Sequence, residues 1–435
     1  MKISDNKIIT SSTSKQVNLS DRKIKAYALK NATHYQGKAN PGVIVSALFT
    51  EGLEKSKIKE IMPQIQKIIK KISNLSIENQ KKEFEKLKNL ISEREIRKGL
   101  PELPNVPKKG VIMRIAPSAS GALHIMHGIN ACLSYNYVLK YGGQMYFRIE
   151  DTNPNNIDPK AYKLIEEDAK FLTKGKAKVE IQSDRMDLYY AYAVALIEKK
   201  SAYVCECSGD EFREFSKQKK DCPCRSKSLK QNILDWEKML APVAYPDKSS
   251  KKISTEGNKK GFAEGEAVLR FKSPEGMKHK NPAMRDFPLA RINLTAHPRQ
   301  KNKYRVWPLM NLSVSTDDIE MKMTHIIRGK DHRDNAERQK MIFNIFNKEF
   351  PWVGFLGRYH FKDLELSTSK FRKEIESGKY SGWDDAKLPT IASLKKRKYK
   401  PEAFWKMAEH IGLSEVDKTL DKKDFFKILD DFNRE

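Results

Sequence analysis

The sequence predicts an α/β fold: a nucleotide-binding domain split by a cysteine-bearing insertion, with a helical domain before it and a helical segment after it. Three observations predict this. A short apolar strand, Val111 to Ala116, runs through a loop of small residues into His124 and His127, which open a long amphipathic segment. A second strand, Gln144 to Ile149, ends in two carboxylates, Glu150 and Asp151. Together these make half of a βαβ unit with polar residues at the strand ends, where open α/β sheets bind ligands. Ahead of them, Ile58, Ile61, Met62, Ile65, Ile68, Ile69 and Ile72 keep helical spacing.

The elements follow in order. Residues 1–106 read as the N-terminal helical domain, in which that apolar stripe faces a core and its lysines face solvent. Pro63 should start or kink the helix. Leu100 to Pro107 is a proline-punctuated linker. Residues 107–192 form the first half of the nucleotide-binding domain. Within it, Asp158-Pro159 reads as an N-cap with proline at the first helical position, and the helix runs on through Leu164, Ile165 and Phe171. Residues 193–301 form the insertion, with a strand at Glu266 to Phe271 and a polar stretch, Pro246 to Gly261, that reads as a mobile loop. The second half, 302–390, resumes with a strand-like segment at Tyr304. Residues 391–435 are basic and helical.

The histidines stand at i and i+3, so both rings leave one face of the first helical turn. Free N–H groups and the dipole's positive end attract phosphate there. Charge is lopsided, with 83 Lys+Arg against 56 Asp+Glu and a net +27. This favours a polyanionic partner, although a lysine-rich proteome or a hot habitat gives the same excess. Met1 to Gln16 lacks the apolar core of a signal peptide, and no apolar run is long enough to span a bilayer. A cytoplasmic protein without membrane contact is expected. Five cysteines argue against a disulfide framework in so long a chain. Cys132 stands alone in the helical run and reads as a packing residue. Cys205, Cys207, Cys222 and Cys224 would make a four-thiolate site, most economically for structural Zn2+; buried free thiols are the alternative.

The segments R-I-A-P-S at Arg114–Ser118, H-I-M-H at His124–His127 and R-I-E-D-T at Arg148–Thr152 resemble the signature of class I aminoacyl-tRNA synthetases, in its glutamyl branch. Leu366-Ser367-Thr368-Ser369-Lys370 resembles the family's lysine-bearing loop, and Thr324 to His332 its second substrate-binding segment. Tyr27 to Asn40 resembles the N-terminal extension of the archaeal glutamyl enzymes. The resemblance implies a Rossmann-like class I synthetase catalytic domain split by a zinc-bearing insertion that meets the tRNA acceptor end. It also implies a helical region after residue 390 that contacts the tRNA stem.

The activity it implies is ATP- and Mg2+-dependent ligation of glutamate to tRNA(Glu) through glutamyl-adenylate, with tRNA(Gln) as a second substrate in related archaeal enzymes. His124, His127 and Lys370 take the catalytic positions, joined by Met126 and Ser369 around ATP. Arg114 and Arg328 match the carboxylate-binding arginines, Glu150 the ammonium ligand, and Ser118 a hydrogen-bonding serine. Guanidinium forks suit a carboxylate because they bond it bidentately.

Two residues depart from the pattern. Met126 replaces a glycine that permits close approach to a ligand, and is expected to narrow the adenine site. Met310 replaces a tyrosine, so discrimination of the substrate side chain is expected to loosen. Archaeal relatives continue into anticodon-reading β-barrels that the sequence does not include, which points to a separate anticodon-binding chain, truncation or loss. The competing readings are a non-catalytic tRNA-binding paralogue, the catalytic half of a split enzyme, and a glutaminyl enzyme.

Overall fold

A computed structural model describes residues 20–49, 51–91, 99–242 and 261–435. Met1 to Gln16, and the polar stretch read as a mobile loop apart from Gly261, lie outside the described residues. Two compact units divide the chain, Met1–Arg97 and Lys98–Glu435.

The first unit holds α1 (Asp21–His34), α2 (Pro41–Phe49), α3 (Ile58–Ser73) and α4 (Ile77–Leu87). Ser20 caps α1 by accepting the Lys23 N–H, and Ser76 caps α4 by accepting that of Asn79. Ile61, Ile65, Ile68 and Ile72 are buried along one side of α3, the stripe expected from their spacing. They pack with Ile24, Leu29, Ile44 and Leu48. Pro63 lies inside α3, five residues after its first residue Ile58. The buried stripe carries the helix past the hydrogen bond that proline cannot donate. Gln80, fully inside this unit, donates to the carbonyls of Gly37, Ile72 and Leu75 and so ties the α1–α2 loop to the end of α3 and the α3–α4 turn.

In the second unit, β1 (Val111–Ile115), α5 (Ile125–Tyr141), β2 (Gly143–Ile149), α6 (Ala161–Leu172) and β3 (Lys178–Ile181) follow one another, and the strands form a parallel sheet in the order β1-β2-β3. Helix α6 starts at Ala161, because Pro159 and Lys160 form a turn in which Asp158 accepts the Lys160 N–H. After α7 (Met186–Glu198), an antiparallel sheet β4-β5-β6-β7 is built from Ala202–Cys205, Val268–Phe271, Pro288–Ile292 and Val306–Pro308. Helices α8 (Gly209–Gln218) and α9 (Leu229–Leu240) intervene between its first two strands. The strand after Tyr304 thus pairs with β6, not with the nucleotide-binding sheet. Its reading as the start of the second half is corrected by backbone pairing that sequence pattern does not reveal.

The chain continues with α10 (Met310–Glu320), β8 (His325–Gly329), α11 (Arg333–Ile345) and β9 (Trp352–Leu356), β8 and β9 pairing in parallel. Thr324, just before β8, stitches this pair to β1: its N–H donates to the Ile112 carbonyl at 3.0 Å, and its Oγ1 accepts the Ile112 N–H at 2.9 Å. Both contacts fall at strand starts, so the strands run side by side and their carboxyl ends meet on one edge. That edge is the crevice where α/β sheets bind ligands.

Then come β10 (Tyr359–Phe361), α12 (Thr368–Glu376), α13 (Ile391–Lys396), α14 (Pro401–Ile411), β11 (Lys418–Leu420) and α15 (Lys422–Arg434). The tail is not wholly helical, since β11 pairs in parallel with β10. Its helices share the core of α5: Phe404, Met407, Phe425 and Leu429 pack with Ile129, Leu133 and Phe147.

Candidate active site

The crevice is built on buried charge. Arg114, near the end of β1, is held bidentately by Asp318 of α10, Nε to Oδ1 at 2.9 Å and Nη2 to Oδ2 at 2.8 Å. Arg148 of β2 donates to the same carboxylate at 2.5 Å. Burial pushes Asp318 up, but Arg114 and Arg148 outweigh it and hold the carboxyl at about 2. The neighbouring Asp317 accepts from Gln182, Arg185 and Tyr189 at 2.7–2.9 Å. Helix α10 can carry these groups because it is buried from Asn311 to Ile319 with Ser, Thr and Asp among its residues.

Glu150 and Arg328 face this pair of arginines. Burial raises the Glu150 carboxyl, and Arg148, Arg114 and Arg328 pull it down. Burial, with Arg114 beside it, lowers Arg328 to about 10. Arg328 donates from Nη1 to Gln339 at 2.8 Å, while the Arg328 Nε is buried without a partner among the described residues. Ser118 pairs with Glu150 across the backbone and shares a 2.8 Å hydroxyl contact with Ser120. Arg114, Ser118, Glu150 and Arg328 thus come together at the ends of β1, β2 and β8. Three guanidiniums set against Glu150 and Asp318 leave a net positive site that suits a zwitterion with an acidic side chain.

Beside them, His124 caps α5 and its Nδ1 accepts the His127 N–H at 3.3 Å. That bond leaves the His124 proton on Nε2. The rings stack with centroids 3.5 Å apart. Burial lowers His127 to about 4, and burial together with His127 drives His124 well down. Both are neutral donors at pH 7. They line a cavity of about 750 Å3 with Met126, Asn130, Arg358 and Glu365. Met126 is only 5% exposed and packs into the core, so the thioether forms wall rather than lid.

Ser367 caps α12 by accepting the Lys370 N–H, which leaves Ser369 and Lys370 exposed on its first turn. Neither lines the cavity, but Lys370 is ion-paired with Glu365, which does. The α12 turn lies against the loop before the histidines, where Gly121 (φ +155°) leaves no room for a Cβ beside Trp383 and Thr368. Met310 opens α10 and is partly exposed.

In the insertion, the sulfurs of Cys205 and Cys222 lie 3.9 Å apart, and those of Cys207 and Cys224 3.8 Å. All four fall within 4.8 Å of one another. Zinc–sulfur bonds of about 2.3 Å place tetrahedral thiolates about 3.8 Å apart, so two of the sulfur pairs already stand at that spacing and the four thiols could hold one metal ion. His297, fully buried and stacked on Trp307, approaches the Asp151 carbonyl at 3.0 Å with Nε2 while its Nδ1 accepts the Arg299 and Gln300 N–H groups. The antiparallel sheet is thereby clasped to the end of β2.

A family profile described as tRNA synthetases class I (E and Q), catalytic domain, matches residues 110–431. The chain belongs to that family. Among its relatives, the glutamate--tRNA ligase of Methanocaldococcus jannaschii is 42% identical over 398 residues, covering 91% of this chain and 68% of that one. The Methanosphaera stadtmanae glutamate--tRNA ligase is 39% identical over 404 residues, covering 92% and 68%. Two solved structures also align. A glutamate tRNA ligase from Elizabethkingia meningosepticum in complex with its amino acid is 20% identical, with a TM-score of 0.44, covering 69% of this chain and 60% of that one. The glutamate-tRNA synthetase of Elizabethkingia anophelis is 18% identical, with a TM-score of 0.48, covering 73% and 69%.

Within this class I synthetase, sequence reading missed Arg148, Asp317, Asp318 and Gln339. Arg148 was visible inside R-I-E-D-T. The aspartates carried only a weak signal, two acids in a run of small residues. No helix among the described residues is long and apolar enough to cross a membrane.

Proposed function

We infer that the chain ligates L-glutamate to tRNA(Glu) in two steps, through glutamyl-adenylate, releasing AMP and pyrophosphate. The observation that carries this is the convergence of Arg114, Arg148 and Arg328 on Glu150 beside the stacked histidines. In this reading Arg114 and Arg328 take the substrate's side-chain carboxylate, Glu150 its ammonium group, and Ser118 a further hydrogen bond. The α-carboxylate then attacks the α-phosphate of ATP. His124 and His127 donate to the phosphate oxygens as neutral imidazoles, so positioning and charge stabilisation supply the rate. Lys370 leaves Glu365 to follow the departing pyrophosphate.

Class I synthetases use ATP with Mg2+, which here enters with the nucleotide. Cys205, Cys207, Cys222 and Cys224 would hold Zn2+ structurally, since four protein thiolates leave no open position. The antiparallel sheet around them would meet the acceptor end, and the segment after residue 390 the tRNA stem. We extend the reading to tRNA(Gln) as a second substrate and to a cytoplasmic location.

The test is aminoacylation of tRNA(Glu) and tRNA(Gln), with tRNA-supplemented pyrophosphate exchange. Charging of tRNA(Glu) is the expected result; charging of tRNA(Gln) as well would establish the dual specificity. The second reading, a non-catalytic paralogue, is motivated by Met126 in the cavity wall and by Met310, and inactivity with every component present would select it.

A further inference from the structure

Two cations beside the four cysteines are matched by carboxylates. Arg225, next to Cys224, donates from Nε to Asp286 at 2.9 Å, and Lys227 donates to Asp235 at 2.8 Å. Asp286 is filled by this, since it also accepts from Tyr203 and from the N–H and hydroxyl of Ser273, each at 2.8 Å. Arg285 has no carboxylate but donates to the His279 and Ser216 carbonyls. Arg270 of β5 is different. It is only 8% exposed, it ion-pairs with no carboxylate among the described residues, and its Nε is buried without a partner. A buried guanidinium is costly unless an anion compensates it.

The strand register says what Arg270 faces. Tyr203 of β4 stands opposite Arg270, and Cys205 stands opposite Val268. Residues two apart on a strand share a face, and so do cross-strand partners. Tyr203, Cys205, Val268 and Arg270 therefore project from one face of the sheet. On that face Tyr203, Cys205 and Val268 cluster with Cys207, Cys222, Cys224 and Phe212 of α8. Arg270 and Cys205 are diagonal neighbours, a spacing that a long side chain spans. Its guanidinium sits over the Phe212 ring, Cζ 3.4 Å from the centroid, so it is held at the cysteine cluster. Its charge is felt there, because the Cys222 contact and burial raise the Cys205 thiol and Arg270 opposes them.

We propose that Arg270 is the counter-cation of the four-thiolate metal site, compensating the charge that Cys205, Cys207, Cys222 and Cys224 carry once a divalent ion is bound. This rests on the zinc reading of those cysteines. A divalent ion with four thiolates is a net dianion, and here it would be formed in a largely buried cluster. Metal binding deprotonates its ligands, so the negative charge facing Arg270 is greatest in the loaded chain. Each then supplies the charge that the other lacks.

The experiment measures zinc affinity of the full chain by competition with a chromophoric chelator, for the unaltered chain, Arg270→Lys, Arg270→Gln and Arg270→Leu. Melting temperatures are taken with zinc and after stripping it. Zinc uptake by the unaltered chain tests the metal reading by itself; no uptake would overturn that reading and the proposal with it. The differences among variants test Arg270. Expected are a zinc affinity about 10–100-fold weaker in Arg270→Gln and Arg270→Leu, recovery of most of it in Arg270→Lys, and a loss of melting temperature that is larger with zinc than without. With Co2+ as the probe, thiolate-to-metal absorption per bound ion should hold in every variant, because the four ligands are intact. Unchanged zinc affinity in Arg270→Gln would overturn the proposal. So would equal melting losses in the loaded and stripped chains, which would make Arg270 a packing residue on Phe212, or a lost cobalt absorption, which would make it a residue that shapes the ligands. Should Arg270→Leu fail to fold, the Gln and Lys variants decide.

Discussion

Two buried aspartates show how much a single residue's surroundings decide. Asp318 is held at about 2 by Arg114 and Arg148 against its burial, whereas burial lifts Asp168 to about 8 against the weaker pull of Lys395 and the Leu123 backbone. The linkage signs are opposite. Asp318 contributes stability present above the usual carboxylate range near pH 4 and lost as pH falls through about 2. Asp168 costs stability once pH exceeds that range, by roughly 1.4 kcal/mol per unit up to about pH 8. Asp318→Asn should therefore destabilise at pH 7 by about 3–5 kcal/mol, since it leaves two guanidiniums short of an anion, and its deficit should shrink by pH 3. Asp168→Asn should gain melting temperature over the unaltered chain as pH rises from 5 to 8. Denaturant and thermal melts at the two ends of each range check both signs. Met126→Gly removes a side chain from the cavity wall. It should lower the KM for ATP if the thioether narrows the adenine site, and steady-state kinetics showing no gain would remove that steric argument. At this scale the sequence announced residues standing in contiguous motifs, such as His124, Glu150 and Arg328. It was silent on Asp318 and Gln339, whose roles exist only once α10 and α11 bring them to β1 and β8.

Among the elements, the strands and helices with clean periodicity were legible: β1, β2, α3 and α5 follow from apolar spacing alone. Two pairings were not. β7 is three residues long and belongs to the antiparallel sheet because of its partner β6, and β11 exists because β10 lies beside it. Short strands take their identity from neighbours rather than from propensity. The cysteine knuckles are the converse case, because pairs read from spacing reappear as four sulfurs in reach of one ion. β4 carries Cys205, and Cys222 and Cys224 follow α8, so metal binding would lock α8 to the sheet's edge. The expected outcome is about one zinc per chain by elemental analysis. Cys222→Ser should lose it and lower the melting temperature, while the KM values for ATP and glutamate hold, because the thiolates lie in a cluster of their own. A large rise in either KM without loss of metal would contradict a structural role.

Across the whole chain the net charge of +27 admitted two explanations, a polyanionic partner or a lysine-rich background. Salt dependence separates them. Each phosphate neutralised releases counterions, so log affinity falls linearly with log salt, and contacts to about 6–10 phosphates cost roughly 10³–10⁵ in affinity between 50 and 200 mM. A chain whose basic residues form a tRNA surface should show a slope of that order. Lysines spread by background composition engage few phosphates at once, and the slope would be shallow. ATP affinity supplies the internal control, because the histidines proposed to meet its phosphates are neutral and sunk in the cavity, where salt screens little. The two units also keep separate cores, Ile24 to Ile91 in the first and Leu103 to Leu429 in the second. Measuring the tRNA slope for the full chain and for residues 98–435 therefore apportions the phosphate contacts. An equal slope in both would assign them to the synthetase unit, and a reduced one would give the N-terminal helices a share of the tRNA.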